Sequence, residues 1–229
     1  MSVLTLAASH TGIIKETGSN GGFSDADFQD MMTAAGWRKG LAWCMFYAIA
    51  LWLENAEDDQ TRKAVRCLGG GTQAAWKNAE KCGFVIGKIP KVGAIAIFQK
   101  QGSTSSGHAA IVAKTSGWTE WFVADKRNGI PLKDNEFLTI EGNTDESGSR
   151  EGDGVYAKVR TLTFDAPQKG SSNVLLGFIY APWGVNVGGS AAERLEHGFS
   201  SLEDWQRWAL GAASLGILGW GSFVLAKKN

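Results

Sequence analysis

Cys44, His108 and the neighbouring pair Glu141 and Asn143 are the residues whose types and surroundings could carry out covalent chemistry together. A cysteine attacks as a thiolate, and Cys44 opens the run Cys44-Met45-Phe46-Tyr47-Ala48-Ile49-Ala50-Leu51, apolar on every face. That pattern predicts a buried helix from Ala42 to Ala56. The first turn of a helix has backbone N–H groups without intrahelical partners and the positive end of the helix dipole, and both favour the anion. A thiolate also needs a base that takes its proton and later returns it, which an imidazole does near neutral pH. His108 stands at the start of an apolar strand directly after Gly107, which lets a partner come close. The imidazole in turn needs a third group to fix its tautomer and stabilise its charged form. Glu141 and Asn143 end the strand Leu138-Thr139-Ile140-Glu141, two apart and on one side by strand periodicity, and either could hold the ring. Taken singly, each residue has a plain alternative: a buried thiol packs as a small hydrophobe, and a histidine at a strand start is a satisfied structural residue.

The elements that must position these residues fall into two halves. Helices are predicted over Leu4–Lys15, Asp25–Ala35, Ala42–Ala56 and Thr72–Cys82, with Gly36 and Gly83 as stops. After Pro90 the pattern becomes strand-like over 94–98, 108–113, 118–124, 137–141, 155–162 and 175–180, separated by Gly, Ser, Asn and Asp. Helices first and strands afterwards predict an α+β fold with an antiparallel sheet of about six strands. The expected organisation is a catalytic domain over 1–183, a Gly-rich linker over 184–199 and a C-terminal helix over 200–229.

Composition excludes some partners. Lys plus Arg and Asp plus Glu balance at 23 each, so no positive excess points to nucleic acid. The three cysteines, Cys44, Cys67 and Cys82, match neither a C-x-x-C motif nor a paired disulfide framework, and free thiols are expected. No signal peptide is read at the N-terminus, where the apolar run is short and no Lys or Arg precedes Lys15.

In order and context these motifs resemble the CHAP domains, cysteine- and histidine-dependent amidohydrolases and peptidases of phage endolysins and bacterial autolysins. Trp43-Cys44 before a hydrophobic helix is similar to that family's nucleophile motif, and Pro90-Lys91-Val92-Gly93-Ala94-Ile95 to its strand before the histidine. Gly107-His108 through Val112 resembles the histidine strand, and Ile140-Glu141-Gly142-Asn143 the third-residue motif. The likeness spans about Lys15 to Trp183 and implies a papain-like fold. It further implies Cys44 as nucleophile, His108 as base, Glu141 as the group orienting the imidazole and Asn143 as an auxiliary polar residue. Asn20, from the Glu16–Gly22 loop, Trp43 and Gly107 are expected to line the substrate groove. The substrate implied is bacterial peptidoglycan, cut at an amide bond by an N-acetylmuramoyl-L-alanine amidase or a peptide endopeptidase. No cofactor is expected. Some members carry an Asp-rich calcium loop before the cysteine, but Met32–Ala42 has no carboxylate, so no metal is expected either.

Past the linker, Ser200-Ser201-Leu202-Glu203 has capping-box spacing, and Trp208–Ala226 runs for 19 residues without a charge. At 1.5 Å per residue that stretch covers about 28 Å, close to the roughly 30 Å of a bilayer core. The tail is therefore expected to bind a lipid membrane, with helix-mediated self-association through Ala212 and Gly216. A phage lysin or virion lytic enzyme anchored at a virion internal membrane or the bacterial inner membrane fits these features. The competing reading is a non-catalytic structural or wall-binding virion or envelope protein on the same fold.

Overall fold

The computed structural model describes residues 1–116, 131–146, 152–182 and 184–188. Within them the helices come first: α1 (Val3–His10), α2 (Ala26–Ala34), α3 (Cys44–Glu54), α4 (Asp59–Cys67) and α5 (Thr72–Asn78). The strands follow as β1 (Ile86–Gly87), β2 (Ile95–Lys100), β3 (Gly107–Thr115), β4 (Glu136–Thr144), β5 (Gly154–Thr161) and β6 (Asn173–Ile179). The fold is α+β, as its order of elements predicts. The expected strand at 118–124 and the C-terminal helix fall outside the described residues, and no helix among the described residues is long and apolar enough to cross a membrane.

Nine of the eleven residues of α3 are buried, because its sequence offers no polar face to water. It accordingly packs against α1, α2 and α4 as well as β3 and β4. Three of its neighbours begin with side-chain caps: Ser2 accepts from the Thr5 N–H, Asp25 from that of Phe28 and Asp58 from that of Thr61. No side chain caps α3, whose preceding residue is Trp43.

The sheet is antiparallel throughout, in the order β1-β6-β2-β3-β4-β5. Strand alternation sorts its residues between two apolar clusters. Ala109, Ile111, Leu138 and Ile140 join the larger core, which also holds the helices. Ala96, Phe98, Ala110, Val112 and Phe137 join a smaller core on the other face. Because the register sets Phe98 opposite His108 and Phe137 opposite Arg160, His108, Thr139, Glu141 and Arg160 share the smaller-core face.

Two features depart from the sequence reading. Helix α4, absent from the predicted elements, is polar except for one narrow stripe of helical period, Thr61, Ala64, Val65 and Leu68, that faces the core. It also overturns the expectation of three free thiols. By turning the chain back it brings Cys67, its last residue, beside Cys82 at a Cα–Cα distance of 5.7 Å, and the two form a disulfide across a separation of 15 residues. Cys44 alone stays free. At the other end, residues 184–188, expected to begin the linker, are bonded to the domain. Gly184 accepts from the Glu57 N–H, Asn186 donates to Asn55 and accepts from Val3, and Val185 and Val187 are buried.

Candidate active site

Cys44 is the first residue of α3 and lies 5% exposed. The N–H groups of the uncapped first turn have no side-chain partner, which leaves this helix end electropositive at the thiol. The thiol stands 3.8 Å from the Thr72 hydroxyl at the start of α5. Gln73, the next residue, donates to the carbonyls of Ser103 (3.2 Å) and Ser106 (2.7 Å) and so ties α5 to the turn leading into His108. Gly107 lies under this tie. A side chain there would meet the Phe98 carbonyl oxygen at 2.2 Å, so the close approach it permits is that of the neighbouring strand.

On β3, the His108 ring is 1% exposed, and its Nε2 lies 2.9 Å from Glu141 Oε2. Nδ1 is buried without a hydrogen-bond partner and is the ring nitrogen that Glu141 leaves free, while Cys44 is the nearby group that acts on this ring. Burial alone would push the thiol up. The charge and hydrogen bond of His108 outweigh it, assisted by the Ala109 N–H and the Thr72 hydroxyl, and hold Cys44 below the ordinary cysteine value. For His108, burial is likewise outweighed, here by Cys44 and Glu141, and the imidazole is pushed up to about 9. Each group draws the other toward a thiolate–imidazolium pair.

Glu141 is fully buried, and both its oxygens are occupied. Oε1 accepts from the Thr139 hydroxyl (2.5 Å) and Arg160 Nε (2.7 Å), and Oε2 accepts from the Arg160 guanidinium (2.5 Å) as well as meeting His108. Burial would raise this carboxyl, but the charge of Arg160 and the contact with His108 hold it well below the usual carboxylate range. Of the two residues that could hold the imidazole, Glu141 is the one in contact with it. Asn143 lies past a bulge in β4, in the left-handed region (φ 57°), with its Nδ2 buried and without a hydrogen-bond partner.

Trp43, expected along the groove, has its ring fully buried, with centroids 5.0 Å from Phe23, 6.0 Å from Phe28 and 6.1 Å from Tyr47. Its Nε1–H donates to Glu16 Oε2 (2.9 Å), and both Glu16 oxygens accept from the Asn20 N–H (3.2 Å each). Gly142 has no side chain because the Trp43 ring would stand 2.4 Å from its Cβ. Trp43 is therefore a wedge between the Glu16–Gly22 loop and the end of β4, and it belongs to the core beneath the site. Asn20, in the left-handed region (φ 52°), keeps its Oδ1 buried with no hydrogen-bond partner.

Arg160 escaped the sequence reading. It is one of the even-numbered residues of β5, Tyr156, Lys158 and Arg160, which alternate with Val155, Ala157 and Val159 as a solvated strand face would. Its register partner is Phe137 rather than Glu141, and the contact forms because Glu141 leans back over Thr139 while the long arginine reaches along the sheet.

A comparison with curated proteins returns no match. The family model of the CHAP domain matches residues 36–128, a segment that includes Cys44 and His108 and ends before Glu141. Cys44 and His108 thus both lie within the segment that is similar to the CHAP domain.

Proposed function

We propose that this protein hydrolyses an amide bond of bacterial peptidoglycan, with Cys44 as nucleophile, His108 as base and acid, and Glu141 as the group that orients the imidazole. The observation that carries this reading is the meeting of a buried thiol and imidazole, each shifting the other toward the charged form, with the second ring nitrogen on a carboxylate. The thiolate sulfur bonds to the carbonyl carbon, and the tetrahedral oxyanion is held by the Cys44 backbone N–H at the helix start. The carbon–nitrogen bond then breaks as His108 gives its proton to the departing amine. A water activated by the same imidazole adds to the thioester, releasing a carboxylic acid and restoring the thiol.

The uncharged stretch Trp208–Ala226 supports placing this hydrolase at a membrane, as a phage lysin or virion lytic enzyme, and sedimentation of the full chain with membranes that resists alkaline carbonate tests that placement. The test of the activity is mass spectrometry of purified sacculi incubated with the protein. Wild type should release fragments with a new amine and a new carboxylate at one linkage, and Cys44→Ala should release none above background. Release by Cys44→Ala at the wild-type rate would exclude thiol chemistry. Binding to sacculi without release by wild type would favour the non-catalytic wall-binding module.

A further inference from the structure

A carboxylate that orients a catalytic imidazole faces two difficulties when fully buried. Desolvation favours its neutral form, and its torsions leave it free to turn away from the ring. In this protein both difficulties meet one side chain. Arg160 is 6% exposed and grips Glu141 with two parallel bonds, Nε to Oε1 and the guanidinium NH2 to Oε2, the planar fork that arginine forms with carboxylates. Its guanidinium carbon lies 5.5 Å from the ring of Phe98, whose register partner is His108. The same aromatic ring thus backs both the arginine and the histidine.

We propose that Arg160 is a positioning residue of this site: its fork keeps Glu141 charged and fixed in plane, so that Oε2 stays on His108 Nε2 and Nδ1 remains directed to the Cys44 thiol. This deepens the reading of Cys44 and His108 as nucleophile and base and rests on it. Arg160 acts through Glu141 and touches no reacting atom. The groups that set its effect are few. Among the described residues, the charged and titratable side chains facing Glu141 are His108 from β3 and Arg160 from β5, with Cys44 from α3 beyond the imidazole. Tyr156, the register partner of Glu141, is engaged instead with Asp153 and Lys15. Thr139 completes Oε1 but carries no charge. With Arg160 absent, the buried carboxyl would have only the imidazolium to keep it ionised.

The experiment compares wild type, Arg160→Met and Arg160→Lys as full-length chains, by the pH dependence of iodoacetamide alkylation of Cys44 and by kcat and KM on solubilised wall fragments. Alkylation reads the thiolate whatever the substrate is, and Cys44 is the free thiol, Cys67 and Cys82 being bonded. In Arg160→Met the protonated Glu141 no longer supports the imidazolium, and the thiolate loses its partner. Its alkylation profile should move up by about one pH unit, making labelling at pH 6.5 about tenfold slower, with kcat falling about 10- to 100-fold and KM unchanged. Arg160→Lys, which keeps the charge and loses the fork, should restore the alkylation profile while kcat stays severalfold low. A wild-type profile and kcat in folded Arg160→Met would overturn the proposal and reduce Arg160 to a packing residue. Should Arg160→Met not fold, Arg160→Lys decides: wild-type kcat there would overturn the fork. If wild type leaves the wall intact, the hydrolase reading fails by itself, and the alkylation profiles still judge Arg160.

Discussion

The helical half of the domain meets the site with an apolar helix whose uncapped backbone ends at Cys44, whereas the sheet half meets it with His108, Glu141 and Arg160, buried side chains that carry or share charge. The first arrangement draws on groups every helix has and needs only that no capping side chain intervene. The second depends on particular residues at particular strand positions, and losing any one leaves another buried charge unpaired. Several different single substitutions can therefore empty the sheet side of its function, while on the helical side only the thiol of Cys44 is subject to the same loss and the rest acts chiefly through stability.

On the sheet side the largest expected effect comes from losing the imidazole. His108→Ala should lower kcat on solubilised wall fragments by about 10³-fold or more with the fold kept, as judged by circular dichroism, since the base and the leaving-group acid are lost together. Glu141→Gln should fall less, by about 10²-fold, because an amide oxygen can still accept from Nε2–H. Equal losses in the two variants would mean that the charge of Glu141, and not its hydrogen bond, is what the imidazole needs.

A second expectation concerns pH. The thiolate–imidazolium pair exists between the lowered Cys44 value and the raised His108 value, so kcat/KM should rise before the ordinary thiol range and fall near pH 9. Stability follows the same groups. Because His108 is raised from 6.5 to about 9, its contribution is full below 6.5 and is lost as pH climbs through about 9. Glu141 is depressed, so its contribution holds above the ordinary carboxylate value and is lost as pH falls below it. The lowered Cys44 thiol adds stability above its ordinary value and offsets part of the alkaline loss. Urea midpoints should therefore peak between about 4.5 and 6.5, and the alkaline decline should flatten in Glu141→Gln. An unchanged slope in that variant would detach His108 from Glu141.

The smallest chemical effect should come from the helical side. Reducing the Cys67–Cys82 bond, or replacing both residues with serine, should cost about 3 kcal/mol, the loop-entropy scale for a closure of 15 residues. The melting temperature should drop while the pH profile of Cys44 alkylation stays in place. A displaced profile would show that the bond also sets where Thr72 meets the thiol.

Much of this division could be read from residues alone, and the reasons differ by element. Cys44 announces itself because the helix behind it has no polar face, and His108 because an apolar strand begins there. Glu141 could be narrowed only to a pair with Asn143, since the bulge that sends Asn143 elsewhere leaves no trace in strand alternation. Arg160 was hidden because its partner is reached diagonally, across a register no single strand encodes. Trp43 was placed along the groove with the family resemblance, and its burial depends on Phe23 and Phe28, which lie some 15 to 20 residues earlier. Helix α4 shows only a one-residue-wide apolar stripe among charged residues, and the two-residue β1 is too short to show any repeat.

The strand order carries a consequence for how the protein is made. β6, the last of the described strands to be synthesised, lies between β1 and β2, which precede it by roughly 80 residues. While the ribosome is still working toward residue 173, β3, β4 and β5 can already pair and bring His108, Glu141 and Arg160 together, but one edge of β2 is bare and β1 has nothing to join. Leu175 and Phe178, which complete the smaller core, and Ile179, which completes the larger, arrive only in the final strand. At synthesis rates of about 5–20 residues per second, the nascent chain spends several seconds with an open sheet edge of the kind that recruits other strands. Messages broken before codon 179 would yield chains that hold His108, Glu141 and Arg160 yet cannot close the sheet around them, and such products would fall to proteases and chaperones.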